Sequence, residues 1–221
     1  MLNTPLPEWE ALLASAAHLQ KIVPDAVLVG GTAAATFAHH RVSVDHDHTL
    51  TNLRSRFDEI LATLESVAGW RTARVKRPVM ILGSLDGIET GVRQLIRETP
   101  LETETIEFAG EKLTVPTQGE MLRIKAVLIV KRNATRDYLD FVALSELLGV
   151  EKTLAALEPF DRLYPQTNGQ SPRQQLQIQL ANPLPYDLEE TNLSQYKRLK
   201  KEYQDWSKVA QKCREVANQL W

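Results

Sequence analysis

The stretch GGTAAATFAHHRVSVDHDHTL, residues 30–50, decides how this chain reads. It follows Ala26-Val27-Leu28-Val29, a short continuous apolar run of the kind that makes a buried strand. Gly30-Gly31 ends that strand, and the Ala-rich run from Thr32 to His39 reads as a helix. Glycine lets a backbone approach a ligand closely. The free N–H groups at a helix N-terminus favour an anion such as a triphosphate. Arg41 to Thr49 alternates as a second strand, which puts Asp45 and Asp47 on one face. Two adjacent carboxylates repel each other unless a cation lies between them. Oxygen ligands suit Mg²⁺, with Mn²⁺ as the alternative, and such ions usually also hold substrate phosphates. Ser43 shares that face if the strand starts early enough. A bare Asp-x-Asp is more often the wet face of an edge strand. Here the preceding strand, the glycine pair and the spacing favour a site. His46 and His48 alternate with the aspartates and so face away from them. Together with His39 and His40 they raise the idea of a histidine metal site, against which packing is the favoured reading.

Working outward, residues 8–22 read as an amphipathic helix broken by Pro24 and Asp25. Residues 54–67 read as another. Residues 70–96 suggest two or three strands turning at Gly83 to Gly87, and 105–115 a hairpin with Gly110 in its turn. After Pro116 the pattern becomes helical, over 117–130, 136–148 and 151–157. Residues 159–192 hold five prolines and read as loop with one Gln-rich helix near 173–181. The expected fold class is α+β, a mixed sheet with flanking helices followed by a helical C-terminal region. The expected division is residues 1–116 and 117–221.

The second informative segment is EMLRIKAVLIVKRNATRDYLDFVAL, residues 120–144. Lys125 has apolar residues at i−4, i+3 and i+4 on its helix. A buried ammonium is costly unless paired, so Lys125 should snorkel outward or reach a polar site. Lys131, Arg132 and Arg136 read as solvated. On the next helix Asp137 and Asp140 lie one turn apart, and a salt bridge from Lys125 to either one would tie the two helices together.

These segments, GGTA followed by Arg41-x-Ser43-x-Asp45-x-Asp47, then a lysine in an apolar helix and Arg136-Asp137 in the following one, resemble the AbiEii/AbiGii-type nucleotidyltransferase toxins. The resemblance covers about a quarter of the chain and runs in the family's order. It implies a nucleotidyltransferase-type sheet and transfer of a nucleotide from an NTP to an acceptor hydroxyl. It also implies that Asp45 and Asp47 hold Mg²⁺ and that Lys125 contacts the nucleotide phosphates. Asp137 completes the site, with Asp140 as its competitor. Gly30, Gly31, Thr32 and Ser43 are the remaining nucleotide-binding candidates. RNA, in some cases the acceptor end of tRNA, is the implied acceptor, and an antitoxin protein the implied partner. The chain departs from the family in His46, where an apolar residue is usual. It also shows no clear third carboxylate, for which Glu89 is the best candidate. A degenerate member that binds nucleotide or a protein without turnover is the rival expectation.

From residue 193 to the end the chain reads as one long helix with a heptad-like seam, Tyr196, Leu199, Tyr203, Trp206, Ala210, Cys213, Ala217 and Leu220. Packing within the chain is the bland outcome, and a homodimer or other partner helix the sharper one. Its other faces are basic and could meet RNA phosphates. With 221 residues, a net charge of −2 and 24% charged residues, the composition is that of an ordinary globular protein and makes no strong electrostatic case for nucleic acid. Cys213 is the single cysteine, so there is no internal disulfide and no cysteine-based zinc site. The apolar runs are too short to span a bilayer. The start, with Glu8 and Glu10, lacks the pattern of a signal peptide, and a cytoplasmic location is expected.

Overall fold

The computed structural model describes residues 8–220. Two compact units are present. The first comprises the chain up to Ala33 together with Ser43–Pro116, and the second Ala34–Val42 together with residues from Thr117 onward.

The first unit has the α+β class expected, with a five-stranded mixed sheet and flanking helices. Helix α1 (Trp9–Ile22) leads into β1 (Val27–Val29), and helix α2 (Gly30–Ala38) starts on the glycine pair itself. Strand β2 (Asp45–Leu50) and helix α3 (Leu53–Glu65) follow, then β3 (Trp70–Lys76), β4 (Met80–Leu85) and β5 (Ile88–Gln94). The strand order is β1-β2-β5-β4-β3, with β2 and β5 parallel and the other pairs antiparallel. A separate hairpin, β6 (Thr103–Phe108) and β7 (Glu111–Pro116), completes the unit. The Gln20 side chain binds it as a strand would, giving an N–H to the Thr114 carbonyl and taking the Thr114 N–H, both at 2.8 Å.

Alternation decides which sheet face is buried. Leu50, Ile81, Leu85 and Val92 pack with Leu19 of α1, Val23 just after it, and Leu53, Phe57, Ile60 and Leu64 of α3 into one core. The opposite face carries Asp45, Asp47, Glu89 and Arg93. Gly83 lies inside β4 rather than in a turn. A Cβ there would come within 2.7 Å of the Trp70 indole and 2.5 Å of the Arg71 carbonyl, so the glycine admits the indole.

The second unit is helical. Helix α4 (Gln118–Arg132) begins at Thr117, whose hydroxyl accepts the Glu120 N–H, and ends at Asn133 in the left-handed conformation. Helices α5 (Thr135–Leu148), α6 (Val150–Leu157), α7 (Phe160–Leu163) and α8 (Pro172–Ala181) follow.

The tail differs from the sequence expectation. Instead of one long helix, 3₁₀ turns at Leu193–Gln195 and Lys201–Tyr203 precede α9 (Trp206–Ala217), which has 12 residues. Lys197 and Arg198 take positive φ of 42° and 52°. The reason is backbone pairing: Val42 gives its N–H to the Lys197 carbonyl, and Lys200 gives its own to the His40 carbonyl. Those bonds turn the chain where a helix would have continued. Asp205 then starts α9 by accepting the Ser207 N–H. The seam proposed for a homodimer is therefore not a single stripe, and Val209, Ala210, Cys213 and Ala217 are already buried within the unit. The Cys213 thiol is pushed up to about 12 by burial.

Candidate active site

In the first unit, Asp45 and Asp47 stand half-buried on the same face of β2, as their spacing requires. The strand starts at Asp45, later than expected, so Ser43 lies in the preceding loop. Its hydroxyl is 3.3 Å from both the Asp45 carbonyl and Oδ1, and it acts on the aspartate rather than beside it. Thr32 is fully buried and donates its hydroxyl to the Asp45 carbonyl at 2.5 Å, which fastens the first turn of α2 to the start of β2.

Two glycines make room around Asp47. Gly30 has φ +77°, and a Cβ there would stand 3.5 Å from the Asp47 Cβ and 3.6 Å from its Oδ2. A Cβ on Gly91, the register partner of Asp47, would be 3.5 Å from Oδ1. The carboxylate is thus cradled on two sides by bare backbone. Glu89 pairs in register with Asp45, which places the expected third acid on the same face. Among the described residues no three His, Cys, Asp or Glu side chains converge closely enough to hold a metal ion. Arg93, two residues beyond Gly91, brings Nε to 3.5 Å from Asp47 Oδ1. Asp45 and Asp47, on one strand face, are two hard oxygen donors of the kind a divalent cation takes.

His46 and His48 lie on the buried face, as alternation predicts. His46 Nε2 meets the Ser15 hydroxyl at 3.0 Å, and Nδ1 meets the Thr90 hydroxyl at 2.9 Å. Burial pushes its pKa down to about 4, against the pull of the Asp45 carboxylate. No histidine metal site forms among the described residues.

The second unit collects the other candidates into a buried ion cluster. Lys125 is 1% exposed and Asp137 and Asp140 are fully buried. Lys125 Nζ lies 2.7 Å from Asp140 Oδ2 and 3.8 Å from Asp137 Oδ1, so Asp140 is its main partner. Asp140 also accepts Arg41 Nε at 2.8 Å and Nη2 at 3.0 Å, and His40 Nε2 at 2.7 Å. Burial alone would raise the Asp140 carboxyl. The Arg41 and Lys125 charges and the His40 hydrogen bond hold it well below the usual carboxylate range. Burial lowers His40, which stays neutral near pH 7. Asp137 is held by Arg132, with Nε at 2.5 Å and Nη2 at 2.7 Å, so Arg132 is paired rather than freely solvated. His40 and Arg41 escaped the sequence reading as partners of Asp140. Their only signal was membership of one polar run beside an apolar helix.

No protein-family model matches the chain. Curated relatives include the heme uptake protein MmpL11 of Mycobacterium tuberculosis, 30% identical over 237 residues that take in 96% of this chain and 23% of the relative. The mycolic acid-containing lipids exporter MmpL11 of Mycolicibacterium smegmatis is 34% identical over 127 residues, 55% of this chain and 13% of the relative. The chain spans about a quarter or less of the length of these relatives. Among the described residues no helix is long and apolar enough to cross a membrane. Among solved structures, the antibiotic-resistance factor ANT(2'')-Ia superposes with a TM-score of 0.52 at 13% identity, over 69% of this chain and 90% of that one. ANT(2'')-Ia in complex with adenylyl-2''-tobramycin gives 0.50 at 16% identity, over 69% and 96%. With its mixed sheet, flanking helices and glycine-initiated helix before an Asp-x-Asp strand, the chain has the nucleotidyltransferase fold.

Proposed function

We propose that the protein is a divalent-cation-dependent nucleotidyltransferase that moves a nucleotide from an NTP to an acceptor hydroxyl. One observation carries this reading: Asp45 and Asp47 share one half-buried face of β2, with Asp47 cradled by Gly30 and Gly91, and β2 follows a helix that starts on a glycine pair. Asp45 and Asp47 would hold Mg²⁺ or Mn²⁺, with Glu89 as the third acid. Such an ion, when bound, neutralises phosphate charge and lowers the pKa of an attacking hydroxyl.

The chain's own groups do the rest. The N–H groups of Gly30, Gly31 and Thr32, in the first turn of α2, are oriented to receive phosphate oxygens. Thr32 contributes through its backbone, because its hydroxyl already fixes Asp45. Ser43 orients the Asp45 carboxylate. Lys125 and Asp137, which the family resemblance assigns to phosphate contact and completion of the site, enter the proposal as positioning residues, because their charges are met by Asp140 and Arg132. The resemblance supports RNA as acceptor, an antitoxin protein as partner and a cytoplasmic setting. A second reading, nucleotidylation of a small molecule, is favoured by the adenylyl-2''-tobramycin held by ANT(2'')-Ia.

The test incubates purified protein with each α-labelled NTP, Mg²⁺ and either total tRNA or tobramycin, beside Asp45→Ala. Label in RNA that disappears in the variant is the expected result, and label in tobramycin selects the second reading. Nucleotide binding with no label in any acceptor would mark a degenerate, non-catalytic member. Labelling unchanged in Asp45→Ala would remove the metal assignment.

A further inference from the structure

Strand β3 is the edge of the sheet, and every residue of it after Trp70 is exposed. It carries Arg71, Arg74 and Lys76. Simple alternation would send Arg71 and Arg74 to opposite faces. The register prevents this. Arg71 pairs with Ser84 and Thr72 with Gly83, then the pairing shifts, and Arg74 pairs with Leu82 and Lys76 with Met80. The bulge leaves Ala73 as the extra residue. Ser84, Leu82 and Met80 alternate along β4, so all three cations fall on one face.

That face is the one bearing the aspartates. Ser84 pairs with Glu89 of β5, Leu82 with Gly91 and Met80 with Arg93, while Glu89 and Gly91 pair with Asp45 and Asp47. Partners across strands share a face. One surface therefore runs from Asp45 and Asp47 through Glu89 and Arg93 to a row of three cations, three strand spacings or about 14 Å from β2. None of the three has an ion-pair partner among the described residues. The neighbouring cations Arg56 and Arg77 do, on Asp25, Glu59 and Asp58. On the opposite face of the strand Thr72 gives its hydroxyl to Glu65.

We propose that the Arg71–Arg74–Lys76 row is an acceptor-binding edge that takes the phosphodiester backbone of a single-stranded polynucleotide whose terminal hydroxyl reaches Asp45 and Asp47. This rests on the nucleotidyltransferase reading with a polynucleotide acceptor and adds the surface on which that acceptor docks. Cations at alternate strand positions stand about 7 Å apart, a spacing for successive phosphates. The row's distance from β2 leaves the NTP phosphates to the first turn of α2. The flexible, exposed side chains suit backbone contacts without base reading.

The experiment measures anisotropy of a labelled oligoribonucleotide with a free 3′-hydroxyl across a KCl series. It compares the wild type with the triple variant Arg71→Gln, Arg74→Gln, Lys76→Gln. Losing three phosphate contacts should lower the slope of log affinity against log salt by about 2 and weaken low-salt binding roughly tenfold or more. NTP and Mn²⁺ binding by calorimetry should be unchanged. A control variant, Lys208→Gln with Arg214→Gln on α9, should keep wild-type affinity. The proposal is overturned if the triple variant binds RNA as the wild type does, or if the α9 control loses as much. It is also overturned if the row binds phosphatidylserine vesicles and no RNA. Its failure is separable from that of the enzyme reading. An unaltered triple variant alongside loss of labelling in Asp45→Ala removes the row alone. Labelling that survives Asp45→Ala with RNA affinity lost in the triple variant removes the enzyme reading alone.

Discussion

Two pairs of aspartates, Asp45 with Asp47 and Asp137 with Asp140, sit at the spacing that brings each pair onto one face of its element, yet the fold treats them oppositely. On β2 the pair is half-buried beside bare glycine backbone, and Asp47 meets Arg93 only at 3.5 Å. On α5 the pair is fully buried, and Asp140 receives nitrogens from His40, Arg41 and Lys125 while Asp137 receives two from Arg132. A carboxylate whose lone pairs are filled by protein donors is part of the fold. A half-buried one beside glycine backbone, as Asp47 is, keeps room at its oxygens. The contrast teaches that spacing alone does not distinguish a site from a strut; the number of donors gathered around the acid does.

The contrast can be broken most forcefully at Asp140. Asp140→Asn keeps the shape and removes the charge that Lys125 and Arg41 share in the buried cluster. A loss of about 3–5 kcal/mol is expected in urea melts. If the melt is unmoved while labelling is abolished, Asp140 belongs to the site instead. Lys125→Met reads the same distinction from the other side: a lowered melt is expected, and NTP affinity lost with the melt unmoved would place Lys125 at the phosphates.

The pH dependence follows from the same cluster. His40 has a lowered folded pKa, so the unfolded chain takes its proton first, and stability begins to fall below about pH 6.5. Asp140 is held low when folded, so its contribution is whole above about pH 4 and is lost as pH falls towards its folded value. Acid titration of the melting temperature should show both stages, and Asp140→Asn should erase the lower one.

At the open pair the expected effects on stability are smaller. Gly30→Ala forces a side chain to φ +77° against Asp47 and should cost about 1–2 kcal/mol, with a larger fractional loss of metal affinity by calorimetry. Arg93→Gln should change stability by less than about 1 kcal/mol, since its ion pair is long and half-exposed. It should tighten Mn²⁺ binding by removing a competing cation. Weaker Mn²⁺ binding would mean that Arg93 shapes the pocket rather than guarding it.

That Asp45 and Asp47 share a face was legible in the sequence because strand alternation is local, and the same rule placed His46 and His48 underneath. The register that set Glu89 beside Asp45 depends on a parallel pairing of β2 with β5 that no local pattern encodes. The broken tail goes with the exchange of backbone bonds between residues 40–42 and 197–200. The heptad-like seam in the tail was real as hydrophobic spacing. Side-chain period cannot report that Lys197 and Arg198 turn the backbone, nor that their segment's backbone partners are His40 and Val42, far back in the chain. Asp140 as a hub was half visible: Lys125 announced the need for an acid, but His40 and Arg41 are 100 and 99 residues away from it.

The segment from Ala34 to Val42 is inserted between two strands of the sheet unit but belongs to the helical one. On the ribosome, Arg41 emerges 99 residues ahead of the carboxylate that accepts it. At ordinary elongation rates that delay is about 5–20 s. During it, the nascent sheet unit carries an arginine and a histidine destined for burial, with no acid yet made to receive them. Cutting the gene at codon 116 would make that interval permanent. Expression of the amino-terminal half alone should therefore give a chain in which His40 and Arg41 stay in water.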